Sequence, residues 1–197
     1  MKFFRDLAIF LILTLLFLVP SRAVAGEPTV QLRGTIDQFV GILTHTSVAE
    51  LRASGLPQKA LDLIFVRFDF SEMTKQSLGR HWASLNPAQR REFVDAFTQR
   101  LLRVYGRSMR ASGDEKIEYK GENVEGEYAK VETKVVSVSG EELPVDYQLH
   151  NLNGQWKVYD VVIDSISIVS NYRAQFERVI AKSSVKELLQ KMKQQES

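Results

Sequence analysis

The residues able to do acid–base, nucleophilic or metal chemistry in this chain are few and poorly arranged. The three histidines, His45, His81 and His150, fall in separate segments and share no metal-ligand spacing. Asp146 and His150 stand four apart on one face of a predicted strand, so a base and its orienting carboxylate would share a side. At about 3.4 Å per residue, however, they sit about 13 Å apart along that strand, too far to touch. Asp160 and Asp164 have the same separation problem. Asp160 is the most unusual carboxylate, because its neighbours two residues away, Val158 and Val162, are apolar. It reads either as a hydrogen-bonded structural group or as a base in a pocket. No GxSxG, GxGxxG, P-loop or HExxH pattern occurs. The absence of Cys removes thiolate catalysis, zinc–thiolate sites and iron–sulfur clusters.

Two other arrangements carry information. Arg100, Arg103, Arg107 and Arg110 fall in an arc of about 80° on one helix face, at about 100° per residue. Phe93, Phe97, Leu101, Val104 and Tyr105 fill the adjacent arc. A basic rail beside an apolar trough suits an amphiphile, and it also suits a solvated face whose cations complement the helix dipole. The second arrangement is Trp156 to Ile168, read as one strand. Trp156, Val158, Val162, Ile166 and Ile168 occupy one face, and Tyr159, Val161 and Ile163 the other. A strand apolar on both sides is covered on both sides, by packed helices or by a ligand cavity.

The elements that position these residues follow from periodicity. The chain has 197 residues, 44% of them hydrophobic and 25% charged, the composition of an ordinary globular protein. Residues 1–25 form a cleavable secretory signal: Lys2 and Arg5, an apolar run from Leu7 to Val19, then Ala23-Val24-Ala25, with cleavage expected after Ala25. The run is short for a membrane span, which needs about 20 apolar residues. Without this segment the chain carries 23 charges of each sign, which gives no support to a nucleic-acid partner. Residues 26–197 are expected to form a single domain.

The helical half is predicted over 27–112. Leu32, Ile36, Phe39, Val40 and Leu43 define a helix over about 29–44. Pro57 opens a second, with Ala60, Leu61, Ile64 and Phe65 inward. Phe65 to Phe70 reads as extended toward its end. Ser71 then caps a helix over about 72–82. Asn86-Pro87-Ala88-Gln89 is a capping box, and the helix it starts runs to Ser112-Gly113. From 115 to 168 the period changes to two. Four strands are predicted, Lys116 to Glu122, Glu127 to Val138, Glu142 to Leu152 and Gln155 to Ile168, with a two-residue hairpin at Asn153-Gly154. Short connections make the sheet antiparallel. Helices over about 170–182 and 185–194 close the chain. The fold class is α+β, an antiparallel sheet of about four strands packed against a helical N-terminal half and C-terminal helices.

Several runs taken together resemble a known family. They are Phe68-Asp69-Phe70, Leu78-Gly79-Arg80-His81-Trp82, Gln89-Arg90 with Phe93, Phe97, Leu101 and Tyr105, Trp156 to Val161, and Ser167 to Phe176. In this order and spacing they resemble the MlaC (toluene-tolerance, Ttg2-type) family of periplasmic phospholipid-binding proteins, over about 29–192. The chain departs from the family pattern at Asp164-Ser165, usually an acidic-Gly step, and at Ser183-Ser184, often a Gly.

The resemblance implies a nuclear-transport-factor-like fold and a soluble periplasmic carrier, not an enzyme. It implies glycerophospholipid as cargo, with no other cofactor and no metal. It implies two partners, an outer-membrane lipoprotein–porin complex and the lipid-binding subunit of an inner-membrane ABC transporter, and a role in outer-membrane lipid asymmetry. Acyl tails would lie between sheet and helices. The apolar faces then make Leu78, Trp82, Phe93, Phe97, Leu101, Tyr105, Val131, Val135, Tyr147, Leu149, Val158 and Val162 the expected tail contacts, each otherwise an ordinary core residue. Arg173 is the expected head-group contact. The competing readings are an isomerase or dehydratase on a similar cavity fold, which needs facing titratable groups, and an envelope adaptor with a solid core.

Overall fold

The computed structural model describes residues 27–106 and 115–194. The expected signal segment, the helix stop at Ser112-Gly113, and Arg107 and Arg110 lie outside the described residues.

Helix α1 (Glu27–Thr44) buries Leu32 and Leu43 and half-buries Ile36 and Phe39, as its periodicity requires. A short helix, α2 (Val48–Ser54), was not expected from periodicity. It is made by a reciprocal cap: Ser47 Oγ accepts from Glu50 N (3.2 Å), and Ser47 N donates to Glu50 Oε2 (2.9 Å). Helix α3 (Gln58–Arg67) turns Ala60 and Ile64 into the core. Phe65, expected inward, is 47% exposed and meets the Phe70 ring edge-on at 5.6 Å.

The segment after α3 corrects two expectations. Phe68 makes only a single parallel bridge to Val158, supported by Asp69 N donating to Val158 O (2.8 Å). Asp69, not Ser71, caps α4 (Phe70–Leu78), its Oδ1 accepting from Glu72 N at 2.9 Å. Helix α4 stops at Gly79, whose φ of +55° favours glycine, and the chain tightens into a 3-10 helix over Gly79–Ser84. The helix expected over 72–82 is therefore two elements. Asn86 and Gln89 form the expected box, with both bonds at 2.9 Å, and start α5 (Pro87–Gly106). Phe93, Phe97 and Leu101 are buried along it, whereas Val104 is exposed.

The sheet is an antiparallel meander in sequence order: β1 (Lys116–Glu125), β2 (Tyr128–Val136), β3 (Glu142–Leu152), β4 (Gln155–Ile163) and the two-residue β5 (Ile166–Ser167). The hairpin at Asn153-Gly154 forms as expected, both residues having positive φ. The strand expected over 155–168 is broken. Asp164 and Ser165 both adopt positive φ (47° and 67°), turning the chain back as β5. Helix α6 (Ile168–Lys182) begins at once, capped by Ser167 Oγ accepting from Ser170 N. Helix α7 (Val185–Gln194) buries Leu188 and Met192, and Lys193 pairs with Glu92 of α5 at 2.7 Å.

The two faces of the sheet differ completely. The outer face is a lattice of alternating charges: Lys130 with Glu132 and Asp146, and Glu118 with Lys116, Lys120 and Lys134. The inner face carries Val131, Thr133, Val145, Leu149 and Val158, all buried in one core that extends into the helices. Helix α1 crosses this face, meeting β1, β2 and β4, while α5 packs on α4 and α7.

Candidate functional site: the inner face of the sheet

Strand register decides which side chains share the inner face. Opposed residues in neighbouring strands point the same way, so Val131, Tyr147 and Val161 form one row, and Tyr119, Thr133, Val145 and Ile163 the next. Ile117, Val135 and Leu143 form a third. In β4 the register shifts between Val158 and Asp160, leaving Tyr159 as an extra bulged residue. This bulge corrects the expectation for Val162. It pairs with Asp146, and through Asp146 with Glu132, on the charged outer face, opposite to Val158.

The remaining expected tail contacts divide by exposure. Leu78, Phe93, Phe97, Leu101, Val131, Leu149 and Val158 are buried and already have protein neighbours. Phe97, for example, is enclosed edge-on by Tyr172 (4.9 Å) and Phe176 (5.5 Å). Trp82, Tyr105, Val135 and Tyr147 pack on the core but keep accessible surface. Ile36, Phe39, Leu102, Tyr119 and Ile163 share that property and were not on the expected list. Their signal is tertiary, since it depends on how far the helices cover the sheet.

Tyr147 is one of these partly covered residues. Burial pushes its phenol far above the usual tyrosine range, with a smaller push from nearby Tyr119. It nevertheless keeps accessible area. Tyr147 thus packs on the core from the inner face with part of its surface uncovered. Thr133, the polar member of the adjoining row, is neutralised by donating to Val145 O at 2.6 Å. What remains for a ligand there is largely hydrocarbon and aromatic ring.

The N-terminal end of α1 is fixed across the sheet. Thr29 donates from N and Oγ1 to Glu122 Oε2 (2.7 and 2.5 Å). Gln31 Oε1 accepts from Trp156 N and Arg67 Nη1, both at 3.0 Å. Arg67 also donates to Thr35 Oγ1 and to the Trp156 carbonyl, and burial lowers its pKa. The later part of α1 carries Ile36 and Phe39 over the sheet without such polar ties.

The candidate acid–base groups do not meet at this face. Asp146 pairs with Lys130 (2.9 Å), and His150 with Asp69 (3.1 Å), so neither serves the other. His81 pairs with Glu177 on α6 (3.2 Å). Asp160 is structural: it accepts from Ser167 Oγ (2.5 Å) and Val169 N (3.0 Å), securing the start of α6. Among the described residues there is no cluster of three or more His, Asp or Glu suited to a metal ion. Arg100 stacks over Tyr172 at 5.5 Å, so this member of the basic rail is engaged with α6. Arg173 donates from Nε to Gln76 O (2.8 Å) and lies against Gly79, tying α6 to the end of α4.

The family model described as MlaC protein matches residues 34–194. The toluene tolerance protein ttg2D of Pseudomonas putida is 32% identical over 98 residues, 46% of this chain and 42% of that protein. This chain thus spans less than half the length of that relative. The intermembrane phospholipid transport system binding protein MlaC of Haemophilus influenzae is 23% identical over 187 residues, 79% of this chain and 87% of its own length. The structure of the phospholipid-binding protein from Ralstonia solanacearum in complex with a phospholipid has a TM-score of 0.76 at 26% identity, covering 86% of this chain and 96% of the other. With most of its length matched, the chain belongs to the MlaC family.

Proposed function

We propose that this chain is a periplasmic phospholipid carrier that holds acyl tails between the sheet and α1, and exchanges lipid between an outer-membrane lipoprotein–porin complex and an inner-membrane ABC transporter. In that role it maintains outer-membrane lipid asymmetry and makes or breaks no covalent bond. The observation that carries the reading is the set of apolar side chains on the inner face, Val135, Tyr147 and Ile163 among them, that pack on the core and are only partly covered. A phospholipid-bound relative of the same fold supports it.

The energetics require an enclosed apolar face. A diacyl lipid hides roughly 30 methylenes at about 0.8 kcal/mol each, so exposure to water costs on the order of 20 kcal/mol. A surface patch does not replace that, whereas an enclosed apolar face does. Release back to a bilayer requires that the tails gain little from polar hooks, and the inner face offers few.

The test is transfer of labelled phospholipid between two vesicle populations separated by a membrane that passes the protein but not vesicles. Protein-dependent transfer supports the carrier reading. Purified exported protein that carries no lipid and transfers none contradicts it.

A further inference from the structure

Where α1 crosses the edge strand, the structure forms a surface cleft of about 470 Å³, lined by Arg33 and Asp37 of α1 and by residues 116–120 of β1. Its composition differs from the inner face. Arg33 and Asp37 stand one helical turn apart on the same side of α1. Both are exposed, and no ion pair joins them. The nearby lysines are already engaged, since Lys116 and Lys120 both bind Glu118 (3.1 and 2.9 Å). Among the described residues neither Arg33 nor Asp37 is in an ion pair, and Arg33 is engaged only with Tyr119.

Tyr119 connects this cleft to the interior. Its ring lies under the Arg33 guanidinium, 4.2 Å from the centroid, and packs on the core. Its hydroxyl is buried without a well-aligned hydrogen-bond partner. Burial, with Asp37 adding to it, pushes the phenol up to about 12, so it is a neutral donor at physiological pH. On the same face, Tyr119 stands one row from Tyr147, which also keeps accessible surface. A ligand with its tails against Tyr147 would leave its polar end beside Tyr119, Arg33 and Asp37.

Resting on the carrier reading, we propose that this cleft is a head-group site selective for zwitterionic amine phospholipid, with Arg33 and Tyr119 Oη taking the phosphate and Asp37 the ammonium. The two charges of such a head group are joined by a two-carbon bridge, which suits side chains one helical turn apart. A head group that is anionic only gains from Arg33 but is opposed by Asp37. Selectivity therefore resides in Asp37 and general phosphate retention in Arg33.

The experiment loads full-length exported protein from vesicles of equimolar phosphatidylethanolamine and phosphatidylglycerol, then quantifies bound lipid of each class by mass spectrometry. Wild type is expected to hold the ethanolamine lipid in about threefold to fivefold excess, the discrimination an exposed ion pair supplies. Asp37→Asn should return the ratio to near one while total lipid per protein stays constant. Arg33→Gln should lower total lipid, and Arg33→Lys should restore it. A loaded wild type whose lipid ratio is unchanged by Asp37→Asn overturns the head-group site and leaves the carrier reading standing. A wild type that takes up neither lipid overturns both.

Discussion

Gln31 and Trp156 join the first helix to the fourth strand through one hydrogen bond, from Trp156 N to Gln31 Oε1 at 3.0 Å. Arg67 Nη1 donates to the same oxygen, and Gln31 Nε2 donates to the Gly154 carbonyl. Gln31 thus satisfies a backbone group that the hairpin leaves unpaired.

Replacing Gln31 with Ala strips the Trp156 amide and the half-buried Arg67 of a partner. The expected loss is about 1–3 kcal/mol, read as a lower denaturant midpoint with an unchanged slope. A midpoint equal to wild type would show that water replaces Gln31 at no cost.

Core and lining residues should separate in mutagenesis. Phe97 is fully buried against Tyr172 and Phe176, so Phe97→Ala should cost about 3–5 kcal/mol. The Tyr147 hydroxyl has no hydrogen-bond partner among the described residues, so Tyr147→Phe should change stability by less than about 0.5 kcal/mol. Thermal melts of both variants check the contrast. A large loss for Tyr147→Phe would place that hydroxyl in the structural core.

This division was only partly legible in the sequence. Asn86 with Gln89 and Asn153-Gly154 announce themselves because their chemistry is local. The Ser47–Glu50 cap is equally local but heads a helix of seven residues, too short for a periodic signal. Asp164-Ser165 breaks a strand that alternation extends to Ile168, because neither residue is the glycine such a turn usually advertises. The Tyr159 bulge then moves Val162 to the outer face, an outcome that no count of alternation contains. Phe97 and Tyr147 look alike as sequence. Only the placement of α1, α5 and α6 leaves one enclosed and the other accessible.

Asp160 is expected to behave as an anchor. Asp160→Ala removes the acceptor for Val169 N and Ser167 Oγ in a buried setting and should cost about 2–3 kcal/mol. Asp160→Asn, which keeps an acceptor oxygen, should recover part of that. Equal losses for the two variants in a denaturation series would show that the carboxylate charge, not the acceptor, secures α6.

The outer-face charge lattice predicts an acid limb. Hydrogen bonds from Lys120 and then Lys116 draw the Glu118 carboxyl from 4.5 down to about 2. A depressed carboxylate contributes stability that is present above the unfolded value and lost as pH falls through the folded one. Glu118→Gln should therefore narrow the stability difference between pH 5 and pH 2, and the two proteins should converge near pH 2. Parallel curves across that range would show that the pair is solvent-screened to no effect.

The lipid-to-protein ratio of wild type and Val135→Trp, each exported, purified and extracted, tests the central claim most directly. Val135 lies on the inner face between Ile117 and Leu143 and is only partly covered. An indole there should fill space meant for a tail. The account predicts stoichiometric phospholipid on wild type, and little or none on a Val135→Trp protein that melts at a comparable temperature. Undiminished phospholipid on the variant would contradict it.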